Sequence, residues 1–222
     1  MKAVLLLSGG QDSTTCLYWA KKRFEEIYPI AFYYRQSHSQ ELEAAKVICE
    51  MNDLDLKIFE IQDLLSGSSS SLTRGGDHTE RSEVNPDLPA PFVAGRNLLF
   101  LTIAGTYASQ IGSHDIITGV CATDYQGYPD CRRSTMDSIQ LMLTIGMGIG
   151  DMRIHTPLMY MSKAEIWKSA KDLGIIDIIT EHTITDYSGK RERNEWGYGS
   201  LDNPASELRM KGYMEAKERG WI

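Results

Sequence analysis

Short apolar segments typical of buried β-strands alternate along this 222-residue chain with segments of helical periodicity. The predicted strands are residues 4–7, 28–34, 56–61, 116–120 and 154–156, and the predicted helices are 39–51, 98–111 and 134–147, with further helices starting at Ser13 and Ser162. Because this order builds parallel strands with crossover helices, we expect an α/β fold: a Rossmann-like, doubly wound parallel sheet. Ligands of such sheets collect at the carboxyl ends of the strands.

A glycine-containing loop, residues 8–13, directly follows the first predicted strand and precedes a helix. Its glycines allow the backbone to approach an anion, and the helix N-terminus directs unpaired N–H groups and a partial positive charge at it. We therefore predict a nucleotide phosphate site that comprises Ser8, Gly9, Gly10, Gln11, Asp12 and Ser13. The loop lacks the Lys-Ser/Thr ending of a Walker loop, which argues against a kinase or GTPase. The alternative is an ordinary glycine turn with Ser13 as helix N-cap.

Asp12 places a carboxylate beside the predicted anion site. Since an unpaired carboxylate repels phosphate, a bridging Mg²⁺ ion is the expected reason for its position. Lys163, in the first turn of the helix after Ser162, is a candidate for reaching a phosphate, with a solvated helix face as the alternative.

The composition limits the classes of partner. A net charge of −7 argues against a general nucleic-acid surface, and no apolar stretch approaches the ~20 residues that span a membrane. The four cysteines form no Cys-x-x-Cys pair, and Cys16 and Cys49 lie on apolar helix faces. A reduced, cytoplasmic protein is expected.

The loop after the fourth predicted strand is polar and aromatic. Tyrosines such as Tyr128 offer flat faces to a heterocycle, and Asp124 or Asp130 can accept hydrogen bonds from a guanine-like edge. Arg132 can hold a carboxylate or a phosphate. The alternative is a polar turn with surface charges.

Two other segments carry candidate substrate ligands. Arg96, next to Asn97 at a helix start, opposes the helix dipole, which indicates a nearby anion; a solvated arginine is the alternative. Gln36 and His38 follow the second predicted strand at the ligand edge, where His38 serves either as an acid or base or only as a hydrogen-bonding group.

Two polar segments, 66–91 and 180–203, interrupt the strand and helix pattern. After the second, Asn203 and Pro204 are suited to the N-cap and first position of a C-terminal helix. We therefore divide the chain into an ATP-binding α/β domain, residues 1–179, and a C-terminal loop and helix appendage, residues 180–222.

The motifs SGGQDSTTCL, RQSHSQE, FVAGRNLLFL, ITGVCATDYQGYPDCR and HTPLMYMSKAEIW together resemble the PP-loop ATP pyrophosphatases, and within them the 7-cyano-7-deazaguanine synthases of the queuosine pathway. The resemblance covers nearly the whole chain. It implies a homodimeric ligase that uses ATP to convert 7-carboxy-7-deazaguanine and ammonia to the nitrile through adenylated carboxylate and amide intermediates. Asp12, Asp124, Asp130 and Lys163 are then the candidate catalytic residues. The candidate substrate ligands are Gln36, His38, Arg96, Asn97, Asp124, Tyr128, Asp130 and Arg132.

The chain departs from the family's pattern at four positions. The resemblance implies four zinc cysteines, and this sequence has Asp186, Ser200, Asn203 and Ser206 in their places. Because neutral hydroxyl and amide oxygens are poor zinc ligands, we expect no structural zinc. The Asn203–Pro204 cap and the packing of Tyr187, Trp196 and Tyr198 are the candidates for replacing it.

Three other functions remain open at this point. One is an enzyme that stops at 7-amido-7-deazaguanine, and another is a catalytically reduced nucleotide- or deazaguanine-binding interaction protein. The third is a different PP-loop enzyme that acts on tRNA, which the acidic charge and the absence of cysteine pairs disfavour. Neither membrane nor direct nucleic-acid binding is expected.

Overall fold

The computed structural model describes residues 1–34, 40–61, 70–71, 86–122, 128–186, 191–201 and 204–222. In this part of the chain, five parallel strands form one sheet in the order β3-β2-β1-β4-β5. The strands are β1 (Lys2–Leu6), β2 (Glu26–Tyr33), β3 (Lys57–Glu60), β4 (Asp115–Ile117) and β5 (Arg153–His155). The predicted doubly wound parallel sheet is confirmed.

Helices connect and flank the strands. They are α1 (Gln11–Lys21), α2 (Gln40–Glu50), α3 (Arg96–Gln110), α4 (Arg133–Gly146), α5 (Lys163–Asp172), α6 (Ile176–His182) and α7 (Pro204–Glu218). A 3-10 turn (Pro129–Cys131) precedes α4, and a small antiparallel hairpin, β6 (Arg193–Asn194) and β7 (Gly197–Tyr198), precedes α7.

Alternating side chains of the strands feed two hydrophobic cores, one on each face of the sheet. Val4 and Ile116 pack on the face covered by α3 and α4. Their neighbours Leu5 and Ile117 pack on the opposite face, which α1 and α2 cover. All four side chains are completely buried, and each contributes about 1.5–3 kcal/mol of transfer free energy. The two cores hold the strand ends in fixed positions.

The strand order reverses beside β1, because β2 and β4 lie on its two sides. The chain leaves β1 toward one face into α1, and leaves β4 into the loop that leads to Tyr128. Crevices at such reversals are the usual ligand sites of open α/β sheets. The fold therefore brings the glycine loop and the loop after β4 to one place.

A third hydrophobic cluster joins the C-terminal elements to α5. Trp167 of α5 packs with Ile179 of α6, Trp196 of the hairpin and Ala216 of α7. The predicted position of Trp196 in C-terminal packing agrees with this cluster. The 180–203 segment, which we interpreted as a polar loop, contains the end of α6 and the hairpin.

Among the described residues, no helix is both long enough and apolar enough to cross a membrane.

Candidate functional site

The glycine loop turns the chain from β1 into α1. The helix begins at Gln11, with Gly10 as N-cap, so the alternative of Ser13 as N-cap is wrong and the predicted start of the helix was two residues late. Ser13 Oγ instead accepts a hydrogen bond from Ser8 N (3.2 Å) and lies 3.1 Å from Ser8 Oγ. These contacts close the loop over the first turn of the helix.

Only glycine fits at position 9, because the backbone conformation and the surrounding atoms both exclude a side chain. Its φ of +87° lies in the left-handed region, and a Cβ there would be 2.2 Å from the backbone oxygen of Glu41 and 2.7 Å from Ala45 N. The glycine loop therefore lies directly against the first turns of α2. This contact makes α2 part of the site.

The side-chain amide of Gln11 is buried at the start of α1. The side chain is 2% exposed, and among the described residues none accepts a hydrogen bond from its Nε2. Leaving a buried donor unsatisfied costs about 1–3 kcal/mol. Because Gln11 lines the pocket at the helix N-terminus, this donor is suited to a bound anion.

Asp12 and Lys163 form an ion pair in the same pocket. Lys163 Nζ lies 2.8 Å from Asp12 Oδ2, and both side chains are mostly buried. The predicted capping box places this lysine: Ser162 Oγ accepts from Glu165 N (3.2 Å) and Glu165 Oε2 accepts from Ser162 N (2.7 Å). Lys163 is thus fixed as the first residue of α5, beside the glycine loop.

The pocket is closed on its far side by residues that our sequence interpretation did not assign to the site. We call them the C-terminal wall: Thr185, Pro204, Ala205, Leu208 and Arg209. Ile184 N donates to Gly9 O (3.2 Å), and Gln11 N donates to Thr185 Oγ1 (3.4 Å). The wall therefore contacts the glycine loop directly.

A second group of predicted residues meets at the start of α3. Asn97 N donates to Asp130 Oδ2 (3.4 Å), and Arg96 Nη1 donates to Tyr34 Oη (3.4 Å). Burial raises the pKa of Asp130 above its ordinary value, and the charge of Arg96 opposes that rise. A buried carboxylate and an arginine beside one another are suited to a polar heterocycle with an anionic substituent.

Tyr128 lines the pocket and precedes Asp130 by two residues in the chain. Its ring stacks on Phe92, with ring centroids 5.8 Å apart. Arg132, in contrast, is exposed and is the N-cap of α4. Gln36, His38 and Asp124 lie outside the described residues, so their predicted roles stay predictions.

Glu41 is a pocket residue that our sequence interpretation missed, although it ends the RQSHSQE motif. Burial raises its pKa from 4.5 to about 7; Arg96 acts against this rise, and Asp186 adds to it. Nothing in the periodicity of α2 identifies this position, because the approach of Gly9 to its backbone oxygen joins segments that are far apart in the chain.

Three of the four positions where the resemblance implies zinc cysteines meet in space. Asp186 Oδ2 accepts from Ser200 N (2.7 Å) and Ser200 Oγ (2.9 Å), and Ser206 Oγ lies 3.1 Å away. Asn203 and Tyr187 lie outside the described residues. One carboxylate with two hydroxyl groups does not fit a structural zinc, which takes thiolate or imidazole ligands. In the described ranges no three His, Cys, Asp or Glu side chains are grouped to hold a metal.

Comparison with known proteins places this site in a family. Residues 2–217 match the family model described as "Queuosine biosynthesis protein QueC". The chain belongs to the QueC family. A relative from Clostridium botulinum (strain 657 / Type Ba4), named 7-cyano-7-deazaguanine synthase, is 44% identical over 214 residues, which cover 96% of this chain and 95% of the relative. A relative of the same name from Bacillus subtilis (strain 168) is 44% identical and covers 96% of this chain and 94% of its own.

The fold of this QueC family member is also found among solved structures. A 4-thiouridine synthetase in complex with RNA and bound ATP superposes with a TM-score of 0.54 at 20% identity, covering 98% of this chain and 50% of the other. At this identity the likeness shows the fold alone.

Proposed function

We propose that this protein makes 7-cyano-7-deazaguanine from 7-carboxy-7-deazaguanine and ammonia, with ATP as the activating substrate. The observation that carries the proposal is the shared pocket at the strand-order reversal, where the glycine loop and Tyr128 meet. The two relatives named for this activity match nearly the whole chain. No observation favours the amide-forming or non-catalytic alternatives.

The chemistry requires ATP and the base to bind next to each other. A carboxylate oxygen of the substrate attacks the α-phosphorus of ATP and releases pyrophosphate, which makes that oxygen a leaving group. Ammonia then attacks the carbonyl carbon, AMP leaves with the carbon–oxygen bond, and the nitrogen loses a proton to give the amide. The amide oxygen then attacks the α-phosphorus of a second ATP and releases a second pyrophosphate. Breakage of the carbon–oxygen bond releases AMP, and loss of both amide protons gives the nitrile.

The described residues divide this work. The N–H groups at the start of α1 and the Gln11 amide bind the triphosphate, while Lys163 balances its charge. Asp130, Arg96 and Asn97 orient the base so that its carboxyl group faces the α-phosphorus, and this proximity is the main catalytic contribution.

Magnesium fits the donor chemistry at Asp12. Its carboxylate is a hard oxygen ligand at the mouth of the glycine loop, and Mg²⁺ is commonly held by one or two carboxylates together with phosphates. When bound, the ion would neutralise charge on the phosphate oxygens. Lys163 holds the Asp12 carboxylate in place at 2.8 Å.

We also propose that two copies of the chain associate through α4. Leu141, Met142 and Ile145 of this helix are 49–71% exposed, which is an unusual group of large apolar side chains for a helix surface. Ile145→Glu is expected to convert a dimer to a monomer in sedimentation analysis, and an unchanged sedimentation coefficient would count against this interface.

Pyrophosphate release tests the proposed function at Asp12. The wild-type protein is expected to release pyrophosphate from ATP only when 7-carboxy-7-deazaguanine is present, and Asp12→Ala is expected to abolish this release. Asp172→Ala, which removes an exposed carboxylate of α5, is the matched control and should keep the wild-type rate. Wild-type rates in Asp12→Ala would refute the assignment.

A further inference from the structure

The C-terminal wall is held by a buried arginine. Arg209 of α7 is 1% exposed. Its Nε donates to Trp196 O (3.1 Å) and its Nη2 to Ile179 O (2.8 Å). Its Nη1 lies 3.3 Å from Thr185 Oγ1. One guanidinium group thus ties α6, the hairpin and the 183–186 segment to α7.

Thr185 transmits this arrangement to the glycine loop. Its Oγ1 accepts from Arg209 Nη1 and also from Gln11 N, the first backbone N–H of α1. A Cβ added at Gly10 would lie 3.5 Å from the same oxygen, so the threonine side chain lies close to the glycine turn. A displacement of Thr185 therefore moves the backbone groups that face the phosphates.

The Asp186 cluster (Asp186, Ser200 and Ser206) fixes Thr185 from the next residue. All three side chains are at most 4% exposed. Ser206 Oγ lies 2.7 Å from Thr185 O and 3.1 Å from Asp186 Oδ2, so this hydroxyl joins α7 to both residues. Since a buried carboxylate is stable only when it is hydrogen-bonded, the cluster holds one geometry.

We propose that Thr185 and Arg209 are positioning residues for the ATP phosphates, and that the Asp186 cluster is a hydrogen-bonded, metal-free staple that keeps them against the glycine loop. The inference rests on the proposed use of ATP. It assigns to the C-terminal segment a role in nucleotide affinity, in addition to its part in the third hydrophobic cluster. It also explains how the hydrogen bonds of one carboxylate and two serines join α7 to the 183–186 segment.

Thr185→Val tests the proposal, because valine keeps the shape of threonine and lacks the acceptor. Binding of a non-hydrolysable ATP analogue is measured by calorimetry, with 7-carboxy-7-deazaguanine binding measured separately. We expect Thr185→Val to weaken binding of the analogue about two- to tenfold, with unchanged binding of the base, and Thr185→Ser to restore it. Equal affinity in Thr185→Val and the wild type, or failure of the serine variant to restore it, would overturn the proposal.

Ser206→Ala tests the staple, and Ser109→Ala is its matched control. Ser109 is an exposed helical serine of α3, away from the pocket and from the proposed α4 interface. Ser206→Ala is expected to weaken analogue binding in the same direction as Thr185→Val, with Ser109→Ala unchanged. Additive effects in the Thr185→Val/Ser206→Ala double variant would refute the link, because residues acting through one contact are non-additive.

The binding assay is independent of turnover. If the wild type binds the ATP analogue but forms no nitrile, the proposed function fails while the positioning role is still measured. If the wild type forms nitrile and Thr185→Val binds the analogue normally, only the positioning role fails.

Discussion

Glu41 gives the sharpest test of the electrostatics of the pocket. Its carboxyl group lies in the first turn of α2, lines the pocket beside the glycine loop, and has a pKa raised from 4.5 to about 7, first by burial and then by Asp186. Between these two pH values the folded protein binds a proton that the unfolded chain has released. The free energy of unfolding therefore falls as the pH rises through this window.

The size of the effect follows from the shift. Linkage gives a destabilisation of about 3 kcal/mol from Glu41 at pH 8, and of less than about 1 kcal/mol at pH 5, where the folded state holds the carboxyl group neutral. Glu41→Gln, which has the same shape and no charge, is thus expected to stabilise the protein by up to about 3 kcal/mol at pH 8 and only slightly at pH 5.

Urea denaturation at the two pH values measures this difference. Glu50→Gln is the control, since it makes the same charge change at an exposed position of the same helix. A stabilisation by Glu41→Gln that is equal at pH 5 and pH 8, or a loss of stability at pH 8, would refute the reasoning.

Three further outcomes are expected. Gly9→Ala should lower the free energy of unfolding by more than the roughly 1–2 kcal/mol of left-handed backbone strain. The control Gly148→Ala, at φ +65° in open space, should show only that strain. Equal losses of stability for the two variants in urea denaturation would contradict the contact with Glu41. Asp130→Asn should raise the KM for 7-carboxy-7-deazaguanine about tenfold or more with the KM for ATP unchanged, and a reversed pattern would place Asp130 on the nucleotide. Metal analysis should find no stoichiometric zinc, and the circular dichroism spectrum should be the same in chelator; one zinc per chain would contradict the assignment of the Asp186 cluster.

The fold could be predicted from the sequence because its signals are local. The apolar runs and the helical spacing predicted the alternating strands and helices of a doubly wound parallel sheet. The sequence also predicted the glycine turn between the first strand and the first helix, at residues 8–13. The capping box at Ser162 and Glu165 was also readable, since its two hydrogen bonds depend on residues three positions apart.

The C-terminal wall and the Asp186 cluster could not be predicted in this way. Arg209 and Asp186 are charged residues in polar surroundings of the sequence, and such residues are usually exposed. Their burial depends on carbonyl groups and hydroxyls that are 13 to 30 residues away in the chain. For the same reason, our explanation of how the C-terminal region is stabilised named the Asn203 cap and aromatic packing. It did not include the hydrogen bonds of Arg209.

Glu41 was missed for a related reason. Its motif was recognised from the sequence. The position of this glutamate in the site follows from the approach of Gly9 to the α2 backbone, which is a contact between a loop and a helix that only the folded structure shows. Hydrophobic periodicity predicts which face of a helix is buried, and it does not predict which residues contact the N-terminus of that helix.

Product analysis tests the central claim most directly. Purified protein is incubated with ATP, Mg²⁺, an ammonium salt and 7-carboxy-7-deazaguanine, and the products are identified by mass spectrometry. The account predicts 7-cyano-7-deazaguanine, with AMP and pyrophosphate formed only when the base is present. Accumulation of 7-amido-7-deazaguanine as the end product, or no conversion of the base, would contradict it.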